Sequence, residues 1–169
     1  MANKMRDIKV NKLVINIGTG SEDAKLGNAR KLVEVITGRK PMDETAKRRI
    51  PAFGITKNQK IGTFVTLRGK SAAETAKRLL DAVENKVKLS SITDNSLSFG
   101  IKEYIDISGV KYDPRIGMLG MNVNLSFKRA GLRVALRKRG AAKVLESHRT
   151  IPKEEIVEYL KTQFNVIVE

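Results

Sequence analysis

The sequence predicts an α+β two-layer fold, a mainly antiparallel or mixed sheet with helices packed on one of its faces. Two observations predict it. Segments that alternate apolar and polar residues are apolar on one side only, and stretches with apolar residues at helical spacing are interleaved with them. The 169 residues are expected to form a single domain, residues 1–169, which needs no staple. A chain of this size buries roughly 70% of the surface it would expose unfolded.

Residues 10–17 read as the first strand, with Leu13, Ile15 and Ile17 on one face and Lys12, Val14 and Asn16 on the other. Gly18-Thr19-Gly20 breaks it, and Ser21 is the expected N-cap of a helix with Glu22 and Asp23 in its first turn. Leu26, Ala29, Val33 and Ile36 recur at helical spacing until Gly38 stops the helix. Residues 41–49 read as extended, and residues 51–62 as a turn-rich loop carrying Gly54, Lys57, Asn58 and Lys60. The next strand, 63–68, opposes Thr63, Val65 and Leu67 to Phe64, Thr66 and Arg68. Ser71 is the expected cap of a second helix with Ala72, Ala76, Leu79, Leu80, Val83 and Val87 in one stripe. A third strand turns Leu97, Phe99 and Ile101 inward and Ser98, Gly100 and Lys102 outward. A fourth turns Met121, Val123, Leu125 and Phe127 inward and Asn122, Asn124 and Ser126 outward. A last helix, 152–164, presents Ile156, Leu160 and Phe164.

Charge narrows the partner. The 33 Lys and Arg outnumber the 18 Asp and Glu, for a formal net charge of +15. Such an excess repels itself in a compact chain, and a polyanion relieves that repulsion. Nucleic acid is the expected polyanion. A membrane is not, because no apolar run approaches ~18 residues and no basic amphipathic helix carries a broad aromatic face. Met1-Ala2-Asn3-Lys4-Met5 lacks the apolar segment of a secretory signal, so a soluble, cytoplasmic protein is expected. The absence of cysteine excludes disulfides, thiolate zinc sites and cysteine nucleophiles.

The outward residues of the strands carry the functional reading. Asn16, Thr66, Ser98, Asn122, Asn124 and Ser126 are small hydrogen-bonding side chains, with Lys12, Arg68 and Lys102 among them. Such a surface suits the shallow minor groove of duplex RNA, where 2′-hydroxyls are presented, and the cations add phosphate contacts. Two basic segments accompany it. Residues 39–60 hold Arg39, Lys40, Lys47, Arg48, Arg49, Lys57 and Lys60 against Asp43 and Glu44. Residues 128–149 hold Lys128, Arg129, Arg133, Arg137, Lys138, Arg139, Lys143 and Arg149 against Glu146. Gly54, Gly131 and Gly140 suggest loops that order on a phosphate surface. Residues 150–169 are net acidic and read as scaffold.

No catalytic constellation emerges, and neither a cofactor nor a metal is expected. Gly18-Thr19-Gly20 follows a strand and precedes a helix, but position 23, where a dinucleotide loop carries its third glycine, is Asp23. Glu22 and Asp23 would repel an anion there. His148 is the single histidine; its neighbour Ser147 does not make a dyad, and one His without Cys makes no zinc site.

Several motifs are familiar in order. Lys12-Leu13-Val14-Ile15-Asn16-Ile17-Gly18, Thr37-Gly38-Arg39-Lys40-Pro41, Phe53-Gly54-Ile55, Ile61-Gly62 and Val65-Thr66-Leu67-Arg68-Gly69 resemble the large-subunit ribosomal protein L-five family. Phe99-Gly100-Ile101-Lys102-Glu103, Tyr112-Asp113-Pro114, Gly117 and Gly120-Met121 continue the likeness, and Ser147-His148-Arg149 resembles the archaeal and eukaryotic branch. The resemblance implies a structural constituent of the large subunit that binds 5S rRNA in the central protuberance. It implies further neighbours: 23S-type rRNA, P-site tRNA, other large-subunit proteins, and small-subunit ribosomal protein S-thirteen at an intersubunit bridge. By the same likeness Asn16, Phe53 and Thr66 are rRNA-contacting positions; Lys47, Arg68 and Lys102, from the basic segment and the outward strand faces, join them as cationic candidates. Arg39 stands where the family usually has Gln, and Arg cannot accept a hydrogen bond. The tRNA-facing loop corresponds to residues 52–61, with Gly54, Thr56, Lys57, Asn58 and Lys60 as its contacting residues. Two other readings stay open on the residues alone: a chaperone-like or regulatory protein binding acidic proteins, and a phosphate-ester enzyme built on the turn at residues 18–20.

Overall fold

The computed structural model describes residues 3–168, so Met1 and Ala2 of the N-terminal segment, and Glu169, lie outside the described residues. In chain order the elements are β1 (Ile8–Gly18), α1 (Asp23–Thr37), β2 (Met42–Thr45), β3 (Lys60–Leu67), α2 (Lys70–Asp81), β4 (Lys86–Val87), β5 (Ile92–Thr93) and β6 (Ser96–Ile101). There follow β7 (Met121–Arg129), α3 (Arg133–Leu136), α4 (Glu146–Arg149), α5 (Lys153–Phe164) and β8 (Ile167–Val168). Six strands make a mainly antiparallel sheet in the order β2-β3-β1-β7-β6-β5, and β4 pairs with β8 in parallel. The fold is α+β, as the interleaved periods predict. The backbone falls into two compact units, one of residues 14–67 and 99–123, the other of residues 3–13, 68–98 and 124–168.

In the unit of residues 14–67 and 99–123, α1 buries Leu26, Ala29, Leu32, Val33 and Ile36 and packs on β3. Ile15, Ile17, Val65, Leu67, Ile101, Met121 and Val123 are among its inward strand residues. The helix opens one residue later than the sequence suggests. Glu22, not Ser21, occupies the N-cap and makes no side-chain cap bond, while Asp23 supplies the first-turn negative charge. At the other end Gly38 adopts φ 64° and donates its N–H to the Glu34 carbonyl, the left-handed stop expected of it. Strand β3 also starts earlier than predicted, so Lys60, Ile61 and Gly62 are strand rather than loop. They pair with β2: Glu44 faces Gly62, and Thr45 faces Lys60. Ile61 is thereby left over as a bulge, which bends a strand locally. The long connection after β6 is fastened internally. Buried Tyr104 accepts the Asp113 N–H on its hydroxyl at 3.1 Å, and Asn28 Nδ2 donates to the Arg115 carbonyl at 2.9 Å.

In the unit of residues 3–13, 68–98 and 124–168, α2 buries Ala72, Thr75, Ala76, Leu79 and Leu80, and α5 buries Ile156, Leu160 and Phe164. Tyr159 meets Phe127 and Phe164 edge to face, with ring centroids 5.6 and 6.3 Å apart. Two sequence expectations are corrected. Ser71 is not the cap of α2. Gly69 is, in a backbone conformation of φ 70° and ψ −145°, and the Ser71 hydroxyl is buried without a partner. Nor does the helix run on to Val87. Glu84 and Asn85 turn left-handed (φ 55° and 57°), and Val87 lies in β4 opposite Val168. Strand β7 keeps the predicted alternation, with Leu125 and Phe127 buried and Asn124 exposed. In the other unit a further expectation is corrected: Phe99 of β6, expected inward, is only half-buried.

Candidate nucleic-acid interface

Period-2 counting puts Asn16 on the outward side of β1, between buried Ile15 and Ile17. There it borders a hollow of about 510 Å³ whose other walls are Gly18, Gly100, Ile101, Lys102, Gly120, Met121 and Asn122. The glycines make the hollow possible. A Cβ on Gly120 would stand 3.0 and 3.2 Å from the Lys102 and Ile101 carbonyl oxygens, and one on Gly100 3.5 Å from Asn122 Oδ1. Backbone therefore approaches backbone, and Asn16, Asn122 and Lys102 are left among the walls of the hollow. Asn16 Oδ1 is buried and accepts no hydrogen bond. An acceptor in that state costs free energy until a donor reaches it, and buried polar groups in folded chains nearly always have partners.

The structure brings together only some of the residues singled out in the sequence. Asn16, Lys102 and Asn122 share the hollow. Thr66 is half-buried on the outward side of β3, and Arg68 is exposed just beyond that strand. Arg39 is exposed past the end of α1 and Lys47 past the end of β2, and neither borders the hollow. Ser98 and Asn124 are exposed in the other unit, where half-buried Ser126 accepts from Asn11 Nδ2 at 3.4 Å. The three hollow-lining glycines were missed as site residues. Their signal was present, since each sits in or beside a strand where a side chain is otherwise expected.

The basic connection between β2 and β3 is more ordered than its composition suggests. Phe53 stands on a 3₁₀ turn, Pro51–Phe53, that Gly54 closes at φ 63°, and the residue is 72% exposed. Thr56 donates its N–H and its hydroxyl to Gln59 Oε1 at 2.9 and 3.2 Å, and Asn58 takes φ 65°. Lys57 is exposed, whereas Lys60 belongs to β3 and lies 3.1 Å from Asp43. Asp43 also accepts Arg30 through both carboxylate oxygens, at 2.7 and 2.6 Å. The Arg30 hydrogen bonds first, and Lys60 second, hold the Asp43 carboxyl below its ordinary pKa.

In the second basic segment one residue is not an outward cation. Arg129 is buried, donates to Glu155 at 2.6 Å and to the Ser147 carbonyl at 3.4 Å, and so ties β7 to α4 and α5. Its neighbours Lys128 and Arg133 stay at least partly exposed, and Arg137 Nε donates to the Gly140 carbonyl at 2.6 Å.

The enzyme readings fare poorly on geometry. In the turn at residues 18–20, the Thr19 and Gly20 N–H groups that a phosphate loop would aim at an anion both donate to the Ile61 carbonyl, at 2.9 and 3.1 Å. His148 Nε2 lies 3.0 Å from the Ala130 carbonyl rather than beside a nucleophile. Among the described residues no helix is long and apolar enough to cross a membrane, and no His, Asp and Glu cluster could hold a metal ion.

Comparison with known proteins agrees with these features. Residues 3–55 match the family described as ribosomal protein L5, and residues 60–159 match the model of that ribosomal family's C-terminus. The large ribosomal subunit protein uL5 of Sulfurisphaera tokodaii is 44% identical over 167 residues, covering 98% of this chain and 94% of its own. That of Methanosphaera stadtmanae is 42% identical, covering 99% of each. That of Archaeoglobus fulgidus is 43% identical, covering 99% of this chain and 93% of its own. These relatives are structural ribosomal proteins and not enzymes. With matches over both halves and at this identity, the chain belongs to the ribosomal protein L5 family.

Proposed function

We propose that the chain, a structural constituent of the large ribosomal subunit in cytoplasmic ribosomes, grips 5S rRNA through the outward side of its strands. The single observation that supports this best is the buried, unpartnered Asn16 Oδ1 at a hollow with a lysine and a second asparagine on its walls. With the Asn16 side chain turned into the hollow, a 2′-hydroxyl or a base amino group supplies the missing donor, and Lys102 supplies a cation for an adjacent phosphate. Thr66 and Arg68 extend the polar contact along β3, with Arg39, Lys47 and Phe53 beyond it. The family implies the rest of the setting: the central protuberance, 23S-type rRNA, neighbouring large-subunit proteins and small-subunit protein S-thirteen. In the same reading, the connection at residues 52–61 touches P-site tRNA through Gly54, Thr56, Lys57 and Asn58, with Lys60 held at its root by Asp43.

The test is 5S rRNA binding by the full chain. Replacing Asn16 and Thr66 together by Ala should weaken that binding by on the order of 1–3 kcal/mol per unpaired RNA group, with the far-ultraviolet circular dichroism unchanged. Equal affinity in the double variant would sink the reading, and preferential capture of acidic proteins would favour the chaperone-like alternative. For tRNA, residues 56–60 are replaced by a short Gly-Ser turn. Faster tRNA dissociation from ribosomes that still incorporate the variant supports the contact, and unchanged retention refutes it.

A further inference from the structure

The connection between β2 and β3 is a finger with its own cross-links. The Ala46 N–H donates to the Gln59 carbonyl at 2.8 Å, and the Asn58 N–H donates back to the Ala46 carbonyl at 2.9 Å. Farther out, Ile50 and Ile55 exchange both backbone bonds, at 2.9 and 3.1 Å, and Ile55 is buried. A chain held at two rungs continues the hairpin instead of coiling freely. At the finger's root stand the bulge at Ile61 and, two residues from it in β2's register, the carboxylate of Asp43. That carboxylate holds the Arg30 guanidinium in a two-pronged contact from α1 and the Lys60 ammonium from β3. Single exposed ion pairs contribute little, but a forked guanidinium and a second cation on one carboxylate form a network that joins three elements.

We propose that Asp43 is a positioning residue for this finger. By clamping Arg30 and Lys60 at the root, it keeps the finger formed before any RNA is bound, and it leaves phosphate contact to the exposed Lys47, Arg48, Arg49 and Lys57. The proposal deepens the reading of the finger as a tRNA-contacting element and rests on it. It also makes a prediction of opposite sign to simple charge counting. Removing Asp43 frees two cations, which by charge alone would strengthen binding to a polyanion; loss of positioning weakens it.

The test uses the full chain in two arms. In the free protein, hydrogen exchange should find the Ala46, Ile50, Ile55 and Asn58 amides protected. Asp43→Asn should speed their exchange about tenfold while leaving the β7 core amides unchanged, and Asp43→Glu should recover most of the protection. In ribosomes, Asp43→Asn should speed P-site tRNA dissociation several-fold, with recovery in Asp43→Glu. The salt dependence of tRNA binding should be unchanged in Lys60→Gln and should flatten by about one to two in Arg48→Gln with Arg49→Gln. Unprotected wild-type amides, protection that survives Asp43→Asn, or slower tRNA dissociation in that variant would overturn the proposal. A flattened slope in Lys60→Gln would overturn it as well. Failure of the tRNA reading looks different. Replacing the whole finger would then leave tRNA retention unchanged, and the hydrogen-exchange arm alone would decide the clamp.

Discussion

Asn16→Ala should separate binding from stability in one residue, because the two respond with opposite sign. In the free protein the Asn16 Oδ1 atom is buried with no donor, so removing it relieves a desolvation cost of about 1–3 kcal/mol. Truncation also removes packing, although Asn16 is only half-buried and borders a hollow of about 510 Å³. The balance should leave the free chain as stable as before or about 1 kcal/mol more so, a rise of roughly 2–4 °C in Tm at this size. Binding to 5S rRNA should fall, since the RNA donor that met Asn16 is left unpaired. A loss of about 1–3 kcal/mol is a roughly five- to 150-fold weaker Kd. The assays are thermal denaturation of the free protein and 5S rRNA titration at one fixed salt concentration. Asn124→Ala, on an exposed position of β7, serves as the surface control and should change stability by no more than about 0.5 kcal/mol. An Asn16→Ala protein that is clearly destabilised yet binds 5S rRNA normally would refute the reasoning. The amide would then be holding the fold and not waiting for a ligand.

Other expectations are checked with the same tools. Gly62→Ala should destabilise by about 1–3 kcal/mol in urea denaturation, because its Cβ would meet the Ile17 carbonyl oxygen at 2.8 Å, where the neighbour is backbone and cannot turn away. Gly27→Ala, inside α1 with nothing within 4 Å of the new Cβ, should stabilise by up to about 1 kcal/mol. Arg129→Gln should lower stability yet leave the salt dependence of RNA binding unchanged, whereas substituting Arg137, Lys138 and Arg139 together should flatten it. The Asp43 carboxyl titrates lower in the folded chain than in the unfolded one, so its contribution is present above the unfolded pKa of about 3.9 and lost as pH falls through the folded value. Amide protection in the finger should therefore hold at neutral pH and fade in acid, and that acid loss should be absent in Asp43→Asn.

Much of the fold was legible because burial enforces period. Leu13, Ile15 and Ile17, or Ala72, Ala76, Leu79 and Leu80, can reach a common core in only one register, and their spacing announces it. Element ends were less legible because they depend on backbone conformation. Ser21 and Ser71 have the chemistry of caps, but Glu22 and Gly69 take those positions. Lys60 read as loop because it is charged and follows Asn58. Its strand state comes from pairing with Thr45 across the whole finger, a partner that no local pattern announces. The candidate site divides the same way. Asn16 and Thr66 followed from alternation alone, while the hollow beside Asn16 needs Gly100 and Gly120 from distant stretches of sequence.

Net charge is legible at once and misleads in one respect: it counts every cation as available. The +15 excess selects a polyanionic partner, but Arg30, Lys60 and Arg129 are already engaged by Asp43 and Glu155. The carboxylates that engage these cations do a second thing. Asp43 sits where the finger leaves the sheet and Glu155 where the second basic segment returns to α5, so each fixes the base of an arm whose outer cations stay exposed. A basic arm without such an anchor would bind phosphate as well in many geometries as in one, and would lose the ordering entropy on contact. An anchored arm has met that cost in folding. A few acids at the roots of basic segments therefore let a strongly cationic chain present its outer cations in a defined orientation, so removing such an acid should weaken binding even though it raises the net positive charge.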